Sequence, residues 1–183
     1  MYKTQTLDEA KEGSIDSTMN ILDAIHKTQN NFRKYKCKRF IYISSSMVYG
    51  DFKKSSVTEK DETNPKDAYG VMKLAGEFIT KGISKLYNIP YTIIRPSAVY
   101  GPMDMNKRVS QIFIEKALDQ KLITVAGKDE KLDFTYIDDL SQGCIKAALS
   151  DKGVGETFNI TYGQGRKILD FVKILKSLLP NIK

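Results

Sequence analysis

Two segments carry the most legible chemistry in this 183-residue sequence: Ser44-Ser45-Ser46-Met47-Val48-Tyr49-Gly50, and Tyr69-Gly70-Val71-Met72-Lys73. A Tyr and a Lys four apart on a helix share a face. A free phenol titrates near pH ~10, too high for a base at neutral pH. An ammonium beside it stabilises the phenolate, so Lys73 is expected to bring Tyr69 toward working range. A serine hydroxyl at the end of the preceding buried strand can hydrogen-bond the same substrate oxygen. Ser45, Tyr69 and Lys73 therefore form a candidate site for removing a proton from an alcohol, or returning one to a carbonyl. Alone, Tyr-x-x-x-Lys is more often a surface pair. It gains meaning ~20–30 residues after a strand ending in serines, because parallel α/β proteins place functional groups at strand C-termini.

Composition narrows the alternatives. His26 is the only histidine, which argues against a Ser-His-Asp hydrolase and a multi-histidine metal site. Cys37 and Cys144 form neither a Cys-x-x-Cys pair nor a disulfide framework, so a reducing cytoplasm and no metal are expected. The net charge of +7 suits a solvated basic surface or an anionic ligand. Its densest run, Arg33-Lys34-Tyr35-Lys36-Cys37-Lys38-Arg39, resembles a nucleic-acid patch. It also sits where a helix-to-strand loop belongs, and that reading, without nucleic acid, is preferred. No apolar stretch reaches membrane-spanning length, and residues 1–6 lack the apolar core of a signal peptide.

The elements that must position the two segments follow from periodicity. Ile15, Met19, Leu22 and Ile25 predict a helix from Leu7 to about His26. Residues 39–45 (RFIYISS) predict a buried strand. A polar loop leads to a helix from Asp67 or Ala68 to about Tyr87. Residues 91–95 (YTIIR) predict a second buried strand, stopped by Pro96. Lys107 to Gln120 reads as a helix with Ile112, Phe113, Ala117 and Leu118 inward. Short strands are expected at 122–125, 134–137 and 157–161. One helix is expected from a cap at Asp138 or Asp139 to Leu149, another from Lys167 to Leu179, ended by Pro180. The fold class is α/β, a Rossmann-like parallel sheet with a small mixed α/β lobe. Residues 1–102 would form the sheet part and 103–183 mostly the lobe, with 133–150 able to return to the main sheet.

The segments RFIYISSSMVYG (39–50), NPKDAYGVMK (64–73), IIRPSAVYGP (93–102), DFTYIDDL (133–140) and GETFNIT (155–161) occur in an order and spacing that resemble the NAD-dependent epimerase/dehydratase family, the extended short-chain dehydrogenases. The resemblance implies an enzyme acting on a sugar attached to a nucleoside diphosphate. It implies Ser45 as the catalytic serine, Tyr69 as base and acid, and Lys73 as the ligand of the nicotinamide ribose. Ser44, Pro96, Ser97 and Val99 would line the nicotinamide end of NAD or NADP. Asp138 and Asp139 would be structural rather than a metal pair.

Departures from the family pattern sharpen this. Family dehydratases place an acid and a glutamate directly after the catalytic hydroxyl. Ser46 and Met47 stand there, near the substrate, and neither is an acid or a base, which argues against 4,6-dehydration. A family helical asparagine maps to Ser14. A family arginine that holds the diphosphate is Leu132 here, leaving Arg108 and Arg166 as alternative anion holders, because guanidinium forks suit phosphates. The chain has no Gly-x-Gly-x-x-Gly turn, so the family's first dinucleotide-binding half is expected to be missing from it. The leading expectation is an NAD-dependent epimerase that oxidises and re-reduces its sugar. An NAD(P)-dependent reductase or dehydrogenase, and a non-catalytic binding protein on the same fold, are the alternatives. Without its sheet neighbour the 39–45 strand would have an open edge, so a homo-oligomer is expected.

Overall fold

The apolar run Phe40–Ile43 forms β1, and Tyr91–Pro96 forms β2 beside it in parallel, with Phe40 opposite Tyr91 and Ile43 opposite Ile94. Thr157–Ile160 forms β6 on the other side of β2, also parallel, giving the order β1-β2-β6. Parallel strands need crossover segments, and here helices supply them. The computed structural model describes residues 6–32, 34–52, 54–104 and 108–179. Arg33 of the basic run, Lys107 at the expected helix start, and Pro180 at the expected helix stop lie outside them.

The first helical stretch is longer and less regular than periodicity suggests. It comprises α1 (Leu7–Lys11), a π-helical segment (Glu12–Asp16) and α2 (Ser17–Asn31). Thr6 opens it with a reciprocal capping box to Glu9. The widened π turn changes which residues face inward. Ala10, Ser14, Thr18 and Leu22 are buried, whereas Met19, expected inside, is 49% exposed. α3 (Ala68–Tyr87) is capped by Asp67, whose carboxylate accepts from the Gly70 amide at 2.6 Å, and it ends at Asn88 in the left-handed conformation. Pro96 is the last paired residue of β2, opposite Ile160, rather than its stop. A proline can hold that place because its carbonyl still accepts.

The chain forms two compact units. Among the described residues, the first holds those within 6–96 and 141–160, the second those within 97–140 and 161–179. The first is built on the three-stranded sheet, with Leu22, Tyr42, Val48, Ile89, Ile93 and Ile94 buried. Arg39, from the basic run, acts within it as a clamp. Its guanidinium donates to Thr92 Oγ1 at 2.8 Å and to the carbonyls of Ala147 and Ser150 at 3.3 and 3.1 Å, at the negative end of a helix.

The second unit contains α4 (Val109–Leu118) and α6 (Ile168–Leu178), whose Phe113, Ala117, Ile168 and Leu175 form its core. Leu118, expected inward, is 66% exposed. Two short ladders complete it: β3 (Val99–Tyr100) parallel to β5 (Thr135–Tyr136), and β4 (Lys131–Leu132) antiparallel to β7 (Arg166–Lys167). Among the described residues, 122–125, expected as a strand, join no ladder. Ile123 and Val125 still pack on the core while Leu122 points out, so the alternation reflects one-sided burial without a ladder. α5 (Ile137–Leu149) follows β5 directly. Asp138 and Asp139 therefore sit inside its first turn rather than capping it, where carboxylates complement the helix dipole.

Candidate active site

The site is assembled at the C-terminal end of β1, within the first unit. Tyr69 and Lys73 stand one turn apart on α3. Gly70 lets that turn come close: a Cβ there would lie 2.7 Å from the carbonyl oxygen of Met47. The segment after β1 is thus packed against the turn that carries Tyr69. Ser45 caps the short 3-10 helix Ser46–Tyr49, its Oγ accepting from the Met47 amide at 3.2 Å. Used as an acceptor there, the hydroxyl keeps its own proton to donate. Gly50 closes the turn at φ 65°, against the Asn64 carbonyl, where any Cβ would collide.

Lys73 Nζ donates to the carbonyl of Ile43 at 3.0 Å and lies 5.5 and 5.7 Å from the ring centroids of Tyr42 and Tyr69. Burial lowers the pKa of this ammonium, because desolvation penalises the charged form. Tyr42 donates to the Lys73 carbonyl at 3.2 Å, and burial first of all pushes its phenol up, keeping it neutral. Ser14 is 3% exposed, and its carbonyl and the Tyr42 hydroxyl both crowd Gly76, which brings the first helical stretch to the same corner.

Ser44 points inward, 2% exposed, and donates to Glu77 Oε1 at 2.5 Å. Glu77 in turn grips Arg95 of β2, and Arg95 reaches Tyr49. Motif reading singled out neither Glu77 nor Arg95 for a role. The available signal was spacing: Glu77 is the next step after Tyr69 and Lys73 on one helical face. Ser46 is half-buried and Met47 is 42% exposed.

Pro96 ends β2 in the first unit, whereas Ser97, Val99, Arg108 and Arg166 belong to the second. There Arg108 Nη1 donates to the Val99 carbonyl at 2.6 Å. Ala98, between Ser97 and Val99, has φ 32°, a conformation an alanine rarely adopts. Arg166 is exposed, stacks over the Tyr162 ring at 4.8 Å, and stands directly across the ladder from Leu132. A hollow of about 230 Å³ lined by Tyr49, Asp51, Lys54, Val57, Asp61, Glu62 and Asn64 includes none of Ser45, Tyr69 and Lys73. Among the described residues no group of three or more His, Cys, Asp and Glu is placed to hold a metal, and no helix is long and apolar enough to cross a membrane.

Comparison with known proteins places these features in a wider set. The family model described as "NAD dependent epimerase/dehydratase family" matches residues 5–161. The uncharacterized UDP-glucose epimerase YtcB of Bacillus subtilis (strain 168) is 30% identical over 158 residues, covering 86% of this chain and 50% of its own length. A dTDP-D-glucose 4,6-dehydratase of Dictyostelium discoideum is 28% identical over 166 residues, covering 84% of this chain and 38% of its own. The crystal structure of UDP-glucuronic acid 4-epimerase from Bacillus cereus, solved with UDP-glucuronic acid and NAD, superposes with a TM-score of 0.81 at 34% identity. It covers 90% of this chain and 51% of that one. The chain thus spans between 38% and 51% of the length of these relatives.

Proposed function

Because the chain belongs to the NAD-dependent epimerase/dehydratase family, we propose that it carries the proton-handling site of an enzyme that epimerises a sugar held on a nucleoside diphosphate. The observation that supports this best is the corner where Lys73 bonds the end of β1 while facing Tyr69. In this reading Tyr69 takes the proton of a sugar hydroxyl and later returns it. Lys73, charged and partly desolvated beside the phenol, favours the ionised form of Tyr69. Ser45 donates its proton to the same sugar oxygen and holds it in place.

The residues fit one end of a nicotinamide dinucleotide. After its bond to Ile43, the Lys73 ammonium retains two donors suited to ribose hydroxyls. The chemistry that NAD supplies when bound is acceptance and return of a hydride. The diphosphate has no Gly-x-Gly-x-x-Gly turn within this chain. For the sugar's own diphosphate we propose Arg166, which occupies the cross-strand place of Leu132. Ser46 and Met47 lack the acid and base that removal of water requires, which favours epimerisation over dehydration.

The test is isotope exchange and epimer analysis with NAD and a panel of nucleoside-diphosphate sugars, on the protein at its full natural length. Tyr69→Phe is expected to lose about 10²–10⁴-fold in rate while keeping its fold. Activity within a few-fold of wild type would refute the assignment. No dehydrated keto sugar is expected by mass spectrometry, and its appearance counts against the epimerase reading. Net consumption of NAD would favour the reductase or dehydrogenase alternative.

A further inference from the structure

Tyr69, Lys73 and Glu77 lie at four-residue steps along α3, and the third of them does no obvious chemistry. Glu77 is 1% exposed and Arg95 4%. Glu77 Oε1 accepts from Ser44 Oγ at 2.5 Å and from Arg95 Nε at 2.8 Å, while Oε2 accepts from Arg95 Nη2 at 2.6 Å. Arg95 Nη1 donates to Tyr49 Oη at 2.7 Å, and Tyr49 donates to Asn159 Oδ1 at 2.8 Å. One carboxylate therefore links β1, α3 and β2, and its guanidinium partner continues the chain of bonds to β6.

A buried ion pair is poor evidence of stabilisation, since desolvating both charges offsets their attraction. What a fork-to-carboxylate pair adds is direction, because both partners are planar and fully bonded. The other ties between β1 and α3 are weaker. The Tyr42 bond to the Lys73 carbonyl is long at 3.2 Å, and the Lys73 bond to Ile43 is one for which water competes. Among the described residues, the Glu77 bonds alone are both short and dry.

We propose that Glu77 is a positioning residue: through Ser44 it fixes the end of β1, and with it the Ser45 hydroxyl, against the face of α3 that bears Tyr69 and Lys73. The inference rests on the reading of that face as the proton-handling site. Removing the Ser44 tie frees the strand end, admits water to the corner, and relieves the desolvation of Lys73. Tyr42 and Tyr69 are the titratable groups whose rings face that ammonium.

The experiment is NMR titration of the Lys73 side chain in the lysine-labelled chain, assigned with Lys73→Met. In Ser44→Ala the midpoint is expected to rise by about half a pH unit or more. Glu77→Gln also breaks the tie but leaves the Arg95 guanidinium unpaired, and an unpaired positive charge nearby lowers an ammonium's pKa, so the uncharged Ser44→Ala decides. A residue that only added stability would lower the melting temperature without moving this titration. A midpoint within about 0.2 unit of wild type in folded Ser44→Ala overturns the positioning role. That result leaves the reading of the site intact. Retained activity in Tyr69→Phe overturns that reading and leaves the tie between β1 and α3 standing.

Discussion

Lys73 is kept at a cost to the fold. Its ammonium is partly removed from water, and burial depresses its pKa below the usual 10.5. Between the depressed and the ordinary value the unfolded chain binds more protons, so this group makes stability rise with pH there. Below that window the penalty is present in full. Lys73→Met is therefore expected to raise the melting temperature at pH 7 by about 2–4 °C, even though it destroys the proposed site. The gain should shrink as pH climbs through that window and be gone above about 10.5. Tyr42, whose raised pKa makes the fold lose stability at high pH, is present in both proteins and cancels to first order in the comparison. A melting series from pH 7 to 11 checks this, and a gain that grew with pH would contradict it. Ser45, Tyr69 and Lys73 could be named as candidates because their types and spacing are local properties. Glu77, Arg95 and Tyr42 were not, because their meaning lies in contacts between elements far apart in sequence, such as Ser44 with Glu77.

Two of the three glycines on α3 have opposite meanings. At Gly76 an added Cβ would run into the Tyr42 hydroxyl and the Ser14 carbonyl, so the helix lies there against both β1 and the first helical stretch. At Gly82 it would meet nothing within 4 Å. Gly76→Ala is expected to cost about 1–3 kcal/mol by overpacking. Gly82→Ala should gain about 0.4–1 kcal/mol by restricting the unfolded chain. Urea unfolding of both variants checks the pair, and equal effects would refute the packing argument. The sequence-based helix and strands here came close to the observed ones: α3 has the predicted bounds, and β1 and β2 lie within or one residue beyond theirs. The first helix shows why others were missed. Its π turn shifts the inner face from Met19 to Ser14 and Thr18, and no periodicity of 3.6 can announce a break in itself.

Across the whole molecule, the parallel sheet was legible from the order of helices and strands, while the threading of the chain was not. The two units interleave, with the backbone passing between them at Pro96–Ser97, at Leu140–Ser141 within α5, and at Ile160–Thr161. Among the described residues β1 is paired on one side only, and Ile43 on it is 44% exposed. An edge of this kind recruits another strand. Light scattering of the purified chain is expected to give a mass above that of a monomer, and a monomer across a concentration series would count against it. The threading also sets a timetable for synthesis. β2 emerges from the ribosome long before β6, its partner through Ile93–Thr157 to Pro96–Ile160, and most of the second unit is made in between. Until residue 160 has been added, β2 lacks its β6 partner, and that edge of the nascent first unit stays unpaired. Its window of exposure to misassociation is therefore as long as the time needed to translate the other unit.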